Sequence, residues 1–229
     1  DRPDTRRWEE HPVDASGNPT VVGVLRRLEQ SSPVAFEYGC LEGECGACAI
    51  LVDGHVRQAC TTPVAATPGK KRTLVLEPLS KFPVVCDLIV DRSVERSQRA
   101  RVSSWTETDR QSDPASLPKL APSQQREMLA LGSCSECGAC LEAPPQYGEQ
   151  TDFVGAAAIA DVRRLGLHPI GALGRRERLE ALMAPGGVAD CGKAENCVEV
   201  CPMHVPLLDS IQTLSRETSK HLLWDWPFG

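Results

Sequence analysis

The chain has little from which to build a core of large side chains, since only 4% of its 229 residues are aromatic. No apolar run approaches the roughly 20 residues that a membrane-spanning helix needs; the longest, 153–160, stops at Asp161. An excess of basic charge is missing too: the net charge is −6 and the pI is near 5.4. That removes the electrostatic footprint of a nucleic-acid binder. Histidine is sparse, with five in all. His168 and His204 invite attention, yet a lone histidine is more often a hydrogen-bonded structural residue, and neither is read as catalytic.

Cysteine is what the chain has in quantity, with eleven residues. An odd total grouped at metal-ligand spacings argues against a disulfide framework and for a reducing compartment. A metal centre that binds only the folded chain adds directly to folding free energy, which compensates for the thin aromatic content. The length suits two modest domains.

Cys134, Cys137 and Cys140 stand at C-x2-C-x2-C spacing, which puts three thiolates on one small loop, as a cubane iron–sulfur cluster requires of its first three ligands. Cys201, followed by Pro202, is the candidate fourth, because a Cys-Pro pair marks the remote ligand in two-cluster ferredoxins. Tetrahedral zinc also accepts four thiolates, but zinc sites usually pair two C-x2-C knuckles, which this triple run does not.

Nearer the start, Cys40-x4-Cys45-x2-Cys48 is followed by Cys60, the plant-type ferredoxin arrangement for a two-iron, two-sulfur cluster. Gly39, Gly43 and Gly46 fit a loop that must wrap a cluster closely. Residues 49–56 read as a strand turning at Asp53-Gly54, a hairpin that brings Cys60 back to the loop. Thr20 is placed to cap a helix with Val21, Leu25 and Leu28 on one face, and 73–76 reads as another strand. Together these predict a small β-grasp sheet. Cys86 lies outside both patterns and is assigned no function.

The stretch 106–123 is rich in Asp, Ser and Pro, the natural boundary between domains. Beyond it the pattern turns helical: Ser123 is expected to cap a helix through Leu131, and Asp152 one through Arg164. Further helices are expected at 174–183, 197–201 and 206–220. The expected organisation is thus α+β: a β-grasp plant-type ferredoxin domain over 1–108, a linker over 109–122, and an all-helical bacterial-ferredoxin-like domain over 123–229. Trp224 and Trp226 in the tail WDWPFG could touch a membrane or a partner.

The run CLEGECGAC at 40–48, Phe82-Pro-Val-Val with Asp91-Arg-Ser, HPIGALGRRERLEAL at 168–182 and GGVADCGKAENCVEVCP at 186–202 carry a resemblance that runs nearly end to end. The chain resembles the iron–sulfur subunit of succinate dehydrogenase and fumarate reductase, in wording closest to the type whose anchor is a single di-haem membrane cytochrome. The resemblance implies a 2Fe-2S cluster on Cys40, Cys45, Cys48 and Cys60, near an FAD-containing flavoprotein subunit. It implies a 4Fe-4S cluster on Cys134, Cys137, Cys140 and Cys201, then a 3Fe-4S cluster, with Cys191 and Cys197 among its ligands, facing the cytochrome b anchor and its haem b. Electrons would pass singly from succinate, oxidised at the flavin, to a quinone, menaquinone by this resemblance. The subunit would sit peripherally on the cytoplasmic face of the membrane, with no catalytic site of its own. The direction, succinate oxidation or fumarate reduction, would be set by quinone and anchor. A ferredoxin-like subunit serving another flavoprotein reductase is the alternative of a different class.

One position departs from the family. The third cluster should take its first thiolate four residues after Cys140, and Pro144 stands there. Glu142 and Tyr147 are the nearest oxygen donors, though geometry would have to re-aim them. The centre is then held by Cys191 and Cys197 plus a non-thiolate group, or it is a different cluster, or it is absent.

Overall fold

The computed structural model describes residues 7–13, 16–64, 73–106, 119–148 and 150–225. The expected linker therefore falls mostly outside the described residues, as do Trp226 and the side chain of Trp224.

The protein mixes small sheets with many helices. Helix α1, Val21–Leu28, buries Val21, Val22, Val24, Leu25 and Leu28, and Thr20 caps it, its hydroxyl accepting from the Gly23 N–H at 3.2 Å. Strands β1, Ala49–Val52, and β2, His55–Gln58, pair antiparallel from Ala49↔Gln58 to Val52↔His55. Asp53 and Gly54 between them both have positive φ, 51° and 76°, as a two-residue turn matching the strand twist requires. Strand β3, Leu76–Glu77, pairs with the other edge of β1, later than the 73–76 expected. The intervening Val75 is held at the turn, its N–H donating to Asp53 Oδ1 at 2.9 Å.

Two elements were not anticipated. The hairpin of β4, Val84–Cys86, and β5, Ile89–Val90, leaves Cys86 exposed. Helix α2, Ser93–Arg101, has too many charged residues to show an apolar face in sequence.

From residue 119 onward all regular structure among the described residues is helical. Helix α3, Pro122–Gly132, has Pro122 in its first turn, so the cap is Ala121 rather than Ser123, and the Gln124 amide oxygen accepts the Ala121 N–H at 3.2 Å. Helix α5, Ala156–Leu167, starts after Gly155 at φ 86° rather than at Asp152. A Cβ on Gly155 would lie 2.2 Å from Leu141, so close packing sets that helix start. Helices α4, Ala139–Glu142, α6, Arg175–Met183, α7, Asn196–Glu199, and α8, Leu207–Lys220, complete the set.

The largest core gathers Ile159, Leu179, Leu182 and Leu207 from these helices together with Leu79, Phe82, Val90 and Val102 from the first half. Polar contacts join the same surfaces. Arg99 on α2 pairs with Glu95 at 3.1 Å and with Asp161 on α5, all three largely buried. Arg101 donates to the carbonyls of Asp152 at 2.7 Å and Pro185 at 3.0 Å.

Removing one partner of a buried ion pair leaves an uncompensated charge and costs about 3–5 kcal/mol. Arg99→Ala is expected to lose stability of that order in urea denaturation, and adding Glu95→Gln and Asp161→Asn to recover much of it.

Candidate iron–sulfur sites

The loop before β1 turns its backbone toward sulfur. The N–H groups of Glu42, Glu44 and Cys45 point at Cys40 Sγ at 3.4, 3.3 and 3.3 Å, and the Cys40 N–H points at Cys45 Sγ at 3.4 Å. Left-handed residues Leu41, Gly43 and Gly46, with φ of 63°, 84° and 69°, make that winding possible. The spacing to Cys60 is the length of the β1–β2 hairpin: the strands return the chain so that the Ala59 N–H donates to the Cys48 carbonyl at 3.0 Å. Helix α1 holds the return in place, with Val21 and Val22 N–H groups bonded to Thr62 and Ala59.

The thiols divide by exposure. Cys48 and Cys60 are buried, Cys40 is half-buried and Cys45 is exposed. Backbone N–H donors, Glu42 first, lower the Cys40 thiol to about 7, whereas burial pushes Cys48 up to about 11. A loop that offers several N–H donors to sulfur suits an anionic, metal-bound thiolate.

Cys134, Cys137 and Cys140 line one cleft together with Cys201, about sixty residues further on. Left-handed Glu136 and Gly138, φ 54° and 77°, wind the loop into α4. The Cys201 Sγ accepts the Val205 N–H at 3.4 Å. Burial, then the neighbouring sulfurs, raises the thiol of Cys140 well above its ordinary range; burial raises Cys137 as well. Glu95 lines the same cleft. Sequence reasoning missed Glu95 and Arg99, because helical spacing within α2 carries no sign that α5 and the cysteine loop would close over them. Tyr147 is also turned this way: its buried hydroxyl lies near Glu95 and Cys140 and has no hydrogen-bond partner among the described residues. Four convergent sulfurs and a free donor fit an iron–sulfur cluster.

The two loops touch. A Cβ on Gly46 would lie 2.6 Å from the Ser135 carbonyl oxygen and 2.7 Å from Cys137 Cβ, so only glycine permits this approach.

Cys191 and Cys197 are near each other, and burial followed by Cys191 raises the thiol of Cys197. Non-glycine residues Lys193 and Glu195 between them hold positive φ, 54° and 61°. The oxygen groups nearest position 144 are engaged elsewhere: the Glu142 carboxylate accepts the Ser80 and Lys81 N–H groups at 3.0 and 3.1 Å and the Ser80 hydroxyl at 2.5 Å. His168 takes the structural role expected, its Nδ1 accepting the Ile170 N–H at 3.2 Å, and His204 is exposed.

Residues 1–96 match the family described as a 2Fe-2S iron-sulfur cluster binding domain. Over 220 residues the chain is 40% identical to the succinate dehydrogenase iron-sulfur subunit of Bacillus subtilis, spanning 92% of this chain and 86% of that one. It is 28% identical over 214 residues to the fumarate reductase iron-sulfur subunit of Wolinella succinogenes, spanning 92% and 89%. Its fold matches a chain of the Mycobacterium smegmatis Sdh1 complex in the apo form with a TM-score of 0.80 at 21% identity, covering 91% of this chain and 88% of that one.

Two outcomes follow from this geometry. In iron-free chain, alkylation of Cys40 should accelerate through pH about 7 while Cys48 stays slow until about 11, as read by peptide mass spectrometry across pH. Because the Cys40 value is depressed, its contribution to folding is present above the ordinary thiol range and fades as pH falls through about 7. Gly46→Ala should destabilise the holoprotein by more than about 1 kcal/mol, from the positive φ alone, with a lower midpoint in chemical denaturation.

Proposed function

From the premise that this chain belongs to the family of succinate dehydrogenase iron–sulfur subunits, we propose that it is the electron-transfer subunit of a succinate:quinone oxidoreductase. It takes electrons from an FAD-containing flavoprotein subunit and delivers them to a cytochrome b membrane anchor that reacts with quinone, menaquinone in this reading. It works at the cytoplasmic face of the membrane as a peripheral subunit. No helix among its described residues is long and apolar enough to cross a membrane.

In this reading Cys40, Cys45, Cys48 and Cys60 hold a 2Fe-2S cluster within a β-grasp domain of residues 1–108, and Cys134, Cys137, Cys140 and Cys201 hold a 4Fe-4S cluster within a helical domain of 123–229. Such clusters supply one-electron carriers whose potentials follow cluster type, hydrogen bonds to sulfur and burial.

The observation that carries the proposal is the contact at Gly46. It sets one four-cysteine group against another, so that a pair of electrons delivered by a flavin can be divided into single steps inside one chain. The protein's own part is positional. The Glu42, Glu44 and Cys45 N–H groups stabilise negative charge on Cys40, the exposed Cys45 side opens the first group to a partner, and burial shields Cys137 and Cys140 of the second. No acid–base step is assigned to this chain.

The test is co-expression with the flavoprotein and anchor subunits, followed by succinate-dependent quinone reduction. Cys201→Ser is expected to lose about four irons per chain and to abolish quinone reduction, while flavin-level succinate oxidation with an artificial acceptor persists. Native complex that is colourless and free of iron would refute the reading.

A further inference from the structure

The family's third cluster does not fit the residues present, and we propose that the proline at position 144 withholds a required thiolate, so that this chain carries two clusters. The proposal rests on the relay reading above and deepens it.

A thiolate is required at position 144, and the proline there has no side-chain donor for iron. Its carbonyl oxygen is also engaged, accepting from the Lys81 ammonium. One residue earlier, the Ala143 carbonyl accepts from the Asn196 side chain at 3.5 Å. The end of α4 is thereby fastened to the start of α7, the helix that carries Cys197. On the other side, Gln146 lies against the backbone next to Cys191: a Cβ on Gly192 would fall 1.9 Å from its Nε2 and 2.5 Å from its Cδ. An amide side chain thus fills the space beside the remaining thiols.

Among the described residues, the oxygen donors nearest position 144 and Cys191 are engaged elsewhere. The Glu142 carboxylate is tied to Ser80 and Lys81. The Tyr147 ring packs on Phe82, with its hydroxyl toward Glu95 and Cys140. Asp190 accepts the Gly186 N–H at 2.6 Å. By the family pattern the third cluster takes three thiolates, and Cys191 and Cys197 supply two. Electrons therefore leave this chain from the cleft of Cys134, Cys137, Cys140 and Cys201, not from the Cys191–Cys197 loop.

The experiment uses the native complex with its flavoprotein and anchor. Iron and acid-labile sulfide are counted per chain, and low-temperature paramagnetic resonance is recorded on the oxidised and reduced forms. The expected result is about six irons, two plus four, a two-iron signal on reduction and no oxidised-state three-iron signal. Pro144→Cys should raise the count to about nine and bring that signal in, and Pro144→Ala, which removes the ring without adding a thiol, should stay at about six. Wild-type complex with about nine irons and the three-iron signal overturns the proposal; so does Pro144→Cys that stays at six, since position 144 would then not be what withholds the third cluster. Iron far below six, with the two-iron signal missing, would instead fail the relay reading on which the proposal rests.

Discussion

Four sulfurs share one cleft, Cys137 and Cys140 buried and Cys134 and Cys201 half-buried, and as anions they oppose one another. Everything in the second half is arranged around that difficulty. Burial, with the neighbouring sulfurs, pushes the thiols of Cys137 and Cys140 upward, so these two favour the thiolate only when positive charge arrives with it. The first half meets the same difficulty with backbone dipoles. Its most exposed pair, Cys40 and Cys45, receives N–H groups from the loop itself, and the Cys40 thiol is lowered. One loop is thus pre-arranged for anionic sulfur, while the other depends on what binds it.

How much of this could be read from the residues follows from where the constraint lies. The β1–β2 hairpin was legible because Asp53-Gly54 demands positive φ at both positions and because eleven residues from Cys48 to Cys60 is the length of a short hairpin. The α1 cap was legible because Thr20 acts on a neighbour three residues away. The starts of α3 and α5 were misplaced by a few residues: Pro122 occupies the first turn of one, and packing of Gly155 on Leu141 decides the other. The cysteine groups announced themselves by spacing. Their neighbours Glu95 and Arg99 did not, since they come together with the cysteine loop and Asp161 only through tertiary contacts some forty to sixty residues long in sequence.

The contact between Gly46 and the Ser135–Cys137 backbone explains why glycine is needed at a point where the local loop geometry would tolerate strain but a second chain segment would not tolerate a methyl group. It also ties the separation of the two cysteine groups to the backbone rather than to adjustable side chains. A separation fixed by main chain on both sides changes little as side chains fluctuate.

Helix α2 has a consequence for how the polypeptide is made. It precedes residues 107–118 in the chain, yet Arg99 and Arg101 reach Asp161, Asp152 and Pro185 on the far side of that segment. As the nascent chain leaves the ribosome, this guanidinium pair must wait for more than fifty further residues before its counterparts are synthesised. The rear cysteine loop cannot acquire its final surroundings until then, while the front loop, whose hydrogen bonds to sulfur are all local, is ready earlier.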